Sequence, residues 1–184
     1  MGTKMTDYMD ELDRMVDNDD PVPYMHRIRS YYLALGYPKP YRWAQFREVP
    51  FVPLKRPLAE SRVALVTTAA PYQPDKGEQG PGAPYNAAAK FYRVYSMCID
   101  DDPDVRISHL GIDRNHTTAE DMNTWFPLSQ LAQLAAQGHI GDVTPRFHGA
   151  PTNRSQRVTI EQDAVDILSA IREDAADAVV LAAN

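Results

Sequence analysis

Two polar clusters in this sequence hold residue types that move protons or grip anions. The first is His109, Asp113, Arg114, Asn115 and His116. Imidazoles change charge near neutral pH, and beside a carboxylate they relay protons or bind a metal. His109, Asp113 and His116 are therefore the catalytic candidates. Their spacing fits no strong metal motif, and no metal site is assigned. A loop whose Asp and Asn side chains bond local backbone accounts for the same residues. The second cluster is Arg146, His148, Thr152, Asn153, Arg154 and Arg157. Guanidinium groups gathered in a loop of an acidic chain suit a carboxylate or a phosphate. Surface ion pairs on a solvated loop are the plainer account. Arg146, His148, Asn153 and Arg154 are the substrate-binding candidates, together with Thr67 and Thr68, whose hydroxyls close an apolar run. Those threonines can equally satisfy backbone at a strand end.

Other motifs carry less. Gly77, Gly80 and Gly82 lack the GxGxxG spacing, prolines interrupt them, and no apolar helix follows directly. Walker, HExxH and GxSxG motifs are absent. The one cysteine, Cys98, rules out an internal disulfide and a cysteine zinc site. It lies in an apolar run and reads as a small hydrophobe. The net charge of -6 argues against non-specific nucleic-acid binding, which needs a basic field. No apolar run reaches the roughly 18 residues of a membrane span. The acidic N-terminus has no signal-peptide core. A cytoplasmic location is the default expectation.

The elements that must position these residues follow from periodicity. The 184 residues, 43% of them hydrophobic, suffice for one ordinary domain with a core. Residues 1–60 read as an appendage: a short amphipathic helix from Met5 to Val16, a second apolar stripe from Tyr24 to Leu35 stopped by Gly36, then a Pro-rich extended arm with aromatic anchors at Tyr41, Trp43, Phe46 and Phe51. Residues 61–184 read as an α/β domain. Val63–Thr67 is unbroken and apolar, as in a strand buried on both faces. A flexible excursion with Gly and Pro follows it. Phe91–Cys98 and Val105–Leu110 are further strands. Pro127 opens a helix whose buried stripe is Leu128, Leu131, Leu134 and Ala135. Thr159 and Gln162 have capping-box spacing before a helix with Val165, Ile167, Leu168 and Ile171 on its apolar face. Ala178–Ala182 is another buried strand. The expected fold is an open, largely parallel sheet flanked by helices.

Three blocks taken together resemble a known family. They are PYMHRIRSYYLALGYPKPYRW, VPFVPLKRPLAESRVALVTTAA and RISHLGIDRNHTTAEDMNTWFPLSQLAQLAAQGHIGDVTPRFHGAPTNRSQR. They are similar to the selenoprotein B family of the glycine, sarcosine, betaine and D-proline reductases. The resemblance implies reductive cleavage of a carbon–nitrogen bond, or a related reduction, by a selenocysteine or cysteine. In that family the redox motif directly follows the strand matching DAVVLAAN, so Asn184 marks the strand end before the expected Cys or Sec. The resemblance thus places the redox center outside this chain, in a following or partner segment, and transfers no nucleophile to it. It also implies that the α/β domain is incomplete at its C-terminus, through truncation at a selenocysteine codon, cleavage after Asn184, or a split or fragmentary polypeptide.

The expectation is a reductase subunit or region that shapes the substrate pocket, with no firmly bound cofactor of its own. Its expected partners are a small-molecule substrate, a complementary reductase segment and a second copy of the chain, with no nucleic acid and no membrane. Two other classes stay open. One is a non-redox binding or assembly module using the aromatic arm, favoured if that arm is exposed. The other is a metal-dependent enzyme using the His and Asp cluster.

Overall fold

The computed structural model describes residues 23–37, 39, 42, 44–80, 83, 86–107, 120–151 and 155–183. The expected helix from Met5 to Val16 and the anchors Tyr41 and Trp43 lie outside them. The chain divides into two compact units, residues 1–49 and 50–184.

In the first unit, helix α1 spans Tyr24–Ala34. It ends as a glycine-capped helix should. Gly36 adopts φ +83°, and the Tyr37 amide returns to the Tyr32 carbonyl at 3.2 Å. Tyr32 meets Tyr31 and Tyr37 edge to face.

The second unit is built around strand β1, Arg62–Thr67, which is buried from Val63 onward. On one side β1 pairs in parallel with β7, Ala178–Ala182, through five residues, Val63↔Ala178 to Thr67↔Ala182. On the other side it pairs in parallel with β5, Asp142–Val143, and then with β6, Arg146–Gly149. Thr144 and Pro145 separate those two short strands. Proline has no N–H to donate, so the ladder is interrupted there. The Thr144 hydroxyl bridges the gap by donating to the Arg146 carbonyl at 2.8 Å. Strand β3, Tyr95–Cys98, closes the far edge antiparallel to β6. A separate antiparallel pair joins β2, Ala70–Pro71, to β4, Val105–Arg106. The expected α/β class with a largely parallel sheet is what the chain adopts.

The sheet has two covered faces. On one, Val63, Leu65, Val143 and Phe147 pack with Trp125, Phe126 and helix α2, Leu128–Ala136. Phe126 meets Phe147 edge to face at 4.6 Å. On the other, Ala64 and Val66 pack against Ile171 and Ile167 of helix α4, Ala164–Glu173. Glycine is required at two crossings. A Cβ on Gly141 would stand 2.6 Å from the Glu60 carbonyl carbon, and one on Gly149 would stand 1.8 Å from the Tyr95 ring.

Several local expectations are corrected. Only Tyr95–Cys98 of the run from Phe91 forms a strand. Of the strand expected from Val105, only Val105–Arg106 is paired, and residues 108–110 lie outside the described set. Thr159 does not cap a helix. The helical course begins earlier with α3, Gln156–Val158, where the Ser155 hydroxyl accepts from the Val158 amide, and Thr159–Asp163 form a π-turn leading into α4. Capping chemistry was present four residues upstream, and a serine there leaves Thr159 inside the helix. In α4, Ile171 is buried while Val165 and Leu168 are exposed. Strand β7 is half-buried on one face, with Val179 and Leu181 on the other open to solvent.

Candidate functional site

In open α/β sheets ligands gather at the carboxyl ends of the strands. Here that edge consists of Thr67 and Thr68 after β1, Gly149 and Ala150 after β6, and Ala182 of β7. It is tied across by main-chain bonds from the Thr68 amide to the Ala182 carbonyl at 3.2 Å and from the Ala150 amide to the Thr67 carbonyl at 2.8 Å.

Thr67 is fully buried on the Trp125 face. Its hydroxyl donates to the Trp125 carbonyl at 2.9 Å and accepts from the Ala69 amide at 3.1 Å. That hydroxyl fixes the turn out of β1 and is spent on backbone. Thr68 is half-buried beside it. Tyr95 adds a second tie at the same edge. Its phenol donates to the Ala69 carbonyl at 2.7 Å while its ring covers Gly149. Burial raises the Tyr95 pKa, so the phenol keeps its proton.

Arg146 and His148 stand at a different place from Thr67. They alternate along β6 with Phe147, so both leave the face that holds Phe147. The structure joins them through Asp174, just beyond α4. Arg146 donates to the Asp174 carboxylate from Nε at 3.0 Å and from Nη2 at 2.7 Å, and reaches Glu173 at 3.4 Å. His148 is fully buried. Its Nδ1 lies 2.8 Å from the Ser96 hydroxyl. Its Nε2 lies 3.2 Å from Asp174 Oδ2 but lacks hydrogen-bond alignment. Burial lowers the imidazole pKa, which Asp174 only partly offsets and Arg146 reinforces. The ring is therefore neutral at pH 7. The bond to Asp174, together with Glu173, raises the Arg146 pKa.

This cluster continues toward the amino ends of the strands. Arg62 donates from Nη1 to the Asp174 carbonyl at 3.3 Å, its amide donates to the Asp177 carboxylate at 3.0 Å, and Arg56 pairs with Asp177 at 3.3 Å. Its geometry ties α4 to β1 and β6. Cys98 also lies at this end, opposite Arg146 in the β3–β6 register, with the full length of β3 between it and the carboxyl edge.

His109, Asp113, His116, Asn153, Arg154 and Asn184 lie outside the described residues. Among the described residues no group of three or more His, Cys, Asp or Glu is placed to hold a metal ion, and no helix is long and apolar enough to cross a membrane. Ser96, Asp174 and Tyr95 are the members that sequence reasoning missed. Ser96 and Asp174 reach His148 from sequence positions far to either side, and no local spacing announces either contact.

The loop after β1 is crossed by side-chain amide bonds. The Gln79 side-chain amide accepts from the Gln73 amide at 3.1 Å and donates to the Gln73 carbonyl at 2.7 Å, and the Gln73 side chain donates to the Ala89 carbonyl at 3.0 Å. Asn86 donates to the Lys76 and Glu78 carbonyls and caps the short turn at Ala87–Ala89. These side-chain amides tie the described parts of the loop to one another.

No curated protein and no solved structure matches this chain. A family model does, over residues 36–184, which takes in all of the second unit. The resemblance carried by the sequence blocks agrees with that match: the chain belongs to the glycine/sarcosine/betaine reductase selenoprotein B family.

Proposed function

We propose that this chain is the substrate-pocket region of a selenoprotein B-type reductase and that a following or partner segment supplies its Cys or Sec redox center. The family match carries this reading. Reductive cleavage of a carbon–nitrogen bond needs two electrons from a thiolate or selenolate that is itself oxidised, and resolving that oxidised form normally takes a second thiol. The sequence holds one cysteine, and it sits at the amino end of the sheet, away from the strand-end edge. The pocket would be formed at the carboxyl edge by Thr68 and by the loop residues His109, Asp113, His116, Asn153 and Arg154. Arg146, His148 and Thr67 would act through position, since their polar groups are engaged inside the fold.

The test is co-purification from the native source followed by mass spectrometry and a reductive-cleavage assay. A companion polypeptide carrying a Cys or Sec motif, with dithiol-dependent amine release from a small amine substrate only when both are present, is the expected result. A stable monomer that recruits no such polypeptide would overturn the reading.

A second reading has one observation in its favour. Phe46, Val49, Phe51, Val52 and Leu54 of the Pro-rich arm are all exposed, Phe51 at 91%. An apolar run of this kind marks an association surface. An assembly role for the arm is compatible with a reductase subunit. Substitution of Phe51 and Val52 by serine tests the arm's role: association should be lost while substrate affinity is retained, and unchanged association would refute it.

A further inference from the structure

Ser96, His148 and Asp174 come from three separate elements and meet in one line. Ser96 stands directly opposite His148 in the β3–β6 register, and Asp174 reaches the same imidazole from the turn after α4. The serine and the histidine leave the sheet on the face opposite Phe147, which α4 covers over β1. Among the described residues β3 pairs only with β6 and is the outer strand there, so Ser96 is exposed while His148 is fully buried. The buried imidazole meets the surface at the serine hydroxyl.

Which nitrogen carries the ring proton follows from its neighbours. The Asp174 carboxylate can only accept, and its Oδ2 lies 3.2 Å from Nε2. The proton therefore sits on Nε2 and leaves Nδ1 as the acceptor. The Ser96 hydroxyl, 2.8 Å away, donates to it. Burial keeps the ring neutral and able to take a proton. Arg146 holds Asp174 by two bonds at 3.0 and 2.7 Å, so the third member is fixed in turn. A hydroxyl, a base within hydrogen-bond reach and a group that orients the base are the parts that activate a serine. The contact between Nε2 and Oδ2 is unaligned in the free chain, as catalytic bonds often are before a reacting group binds.

We propose that Ser96 is a nucleophile with His148 as its base, and that it opens esters of small acyl groups, the kind that a flat outer strand admits. Ser96 Oγ bonds to the ester carbonyl carbon while its proton passes to Nδ1. The carbon–alkoxy bond then breaks, and the imidazolium returns the proton to the leaving oxygen. Water repeats the sequence on the acyl-serine, releasing the acid and restoring Ser96. The reaction consumes no oxidant or reductant, and the site is independent of the redox reading above. The test is treatment of the full chain with a fluorophosphonate probe and with p-nitrophenyl acetate, read by peptide mass spectrometry and nitrophenol release. The label should fall on Ser96 ahead of every other serine, and S96A should lose most of the nitrophenol release. H148Q should slow the labelling of Ser96 about a hundredfold. The labelling rate should rise with pH as the imidazole, surrounded by Asp174, Glu173 and Arg146, loses its proton, and then level off. S96C keeps a nucleophile in place and should take the acetyl group, which serves as the test if H148Q unfolds the chain. Label spread evenly over the serines, a rate that H148Q leaves unchanged, or an S96C that is not acetylated would overturn the proposal.

Discussion

Gly149→Ala tests the packing of the strand-end edge most directly. The added methyl would start 1.8 Å from Tyr95 Cε1 and 2.0 Å from Cζ, far inside contact distance. The β6 backbone is held between β1 and β3, so the ring must move. Overpacking of this kind costs about 1–3 kcal/mol. Tyr95 also donates to the Ala69 carbonyl and meets Phe147 edge to face at 6.0 Å. Losing that hydrogen bond adds about 1 kcal/mol, and loosening the ring contact adds about 0.5–1.5 kcal/mol. Together these come to about 2.5–5.5 kcal/mol, a large share of a domain's stability. Urea unfolding should show the midpoint falling with the slope unchanged. Tyr95→Ala alone removes the same tyrosine contacts, so Gly149→Ala added to it should cost far less than it does on Tyr95. The coupling in that cycle is the difference between those two costs and should amount to most of the first. Strictly additive costs would refute the argument that the ring is what glycine makes room for.

The remaining predictions concern the buried polar groups and the loop. His148 has its pKa lowered below 6.5 by burial, so the unfolded chain takes up the proton first. Its contribution is intact above about pH 6.5 and declines as pH falls, by at most about 1.4 kcal/mol per unit. Urea midpoints at three pH values should show this slope in the wild type and lose part of it in His148→Gln. Thr67→Val keeps the shape but removes the hydroxyl's bonds to the Trp125 carbonyl and the Ala69 amide, at a cost of about 1–3 kcal/mol in the same assay. Asn86→Ala removes two bonds to the Lys76 and Glu78 carbonyls and one turn cap. Amide exchange between Gln73 and Ala89 should accelerate while β1 stays protected.

Much of the scaffold was legible because burial leaves a repeating mark. Val63–Thr67 is apolar without interruption, and it became the central strand. Gly36 and Gly138 stopped helices where a positive φ was needed. The errors share a cause. Val179 and Leu181 have the residue types of a buried strand, but burial of an edge depends on what lies beside it, which no local pattern carries. The loop after β1 is full of glycine and proline, yet Gln73, Gln79 and Asn86 clamp it through bonds between residues six to ten apart. The polar candidates divided in the same way. Arg146 and His148 were visible as charged and titratable types, whereas Asp174, which decides what they do, comes from the turn after a helix. Residue type announced their chemistry, and only the fold revealed that they spend it on each other.

The half-open strand β7 has a consequence for handling the protein. Among the described residues it pairs with β1 alone, and its sequence Ala178–Ala182 contains no charge, no proline and no bulge. Natural sheet edges usually carry at least one such guard against pairing with the wrong strand. With its own Leu181 at 74% exposure, this edge is a template for self-adhesion. The concentration at which the isolated chain precipitates should therefore be set by five residues rather than by its net charge. A single lysine in place of Val179 or Leu181 should raise that concentration without touching the core.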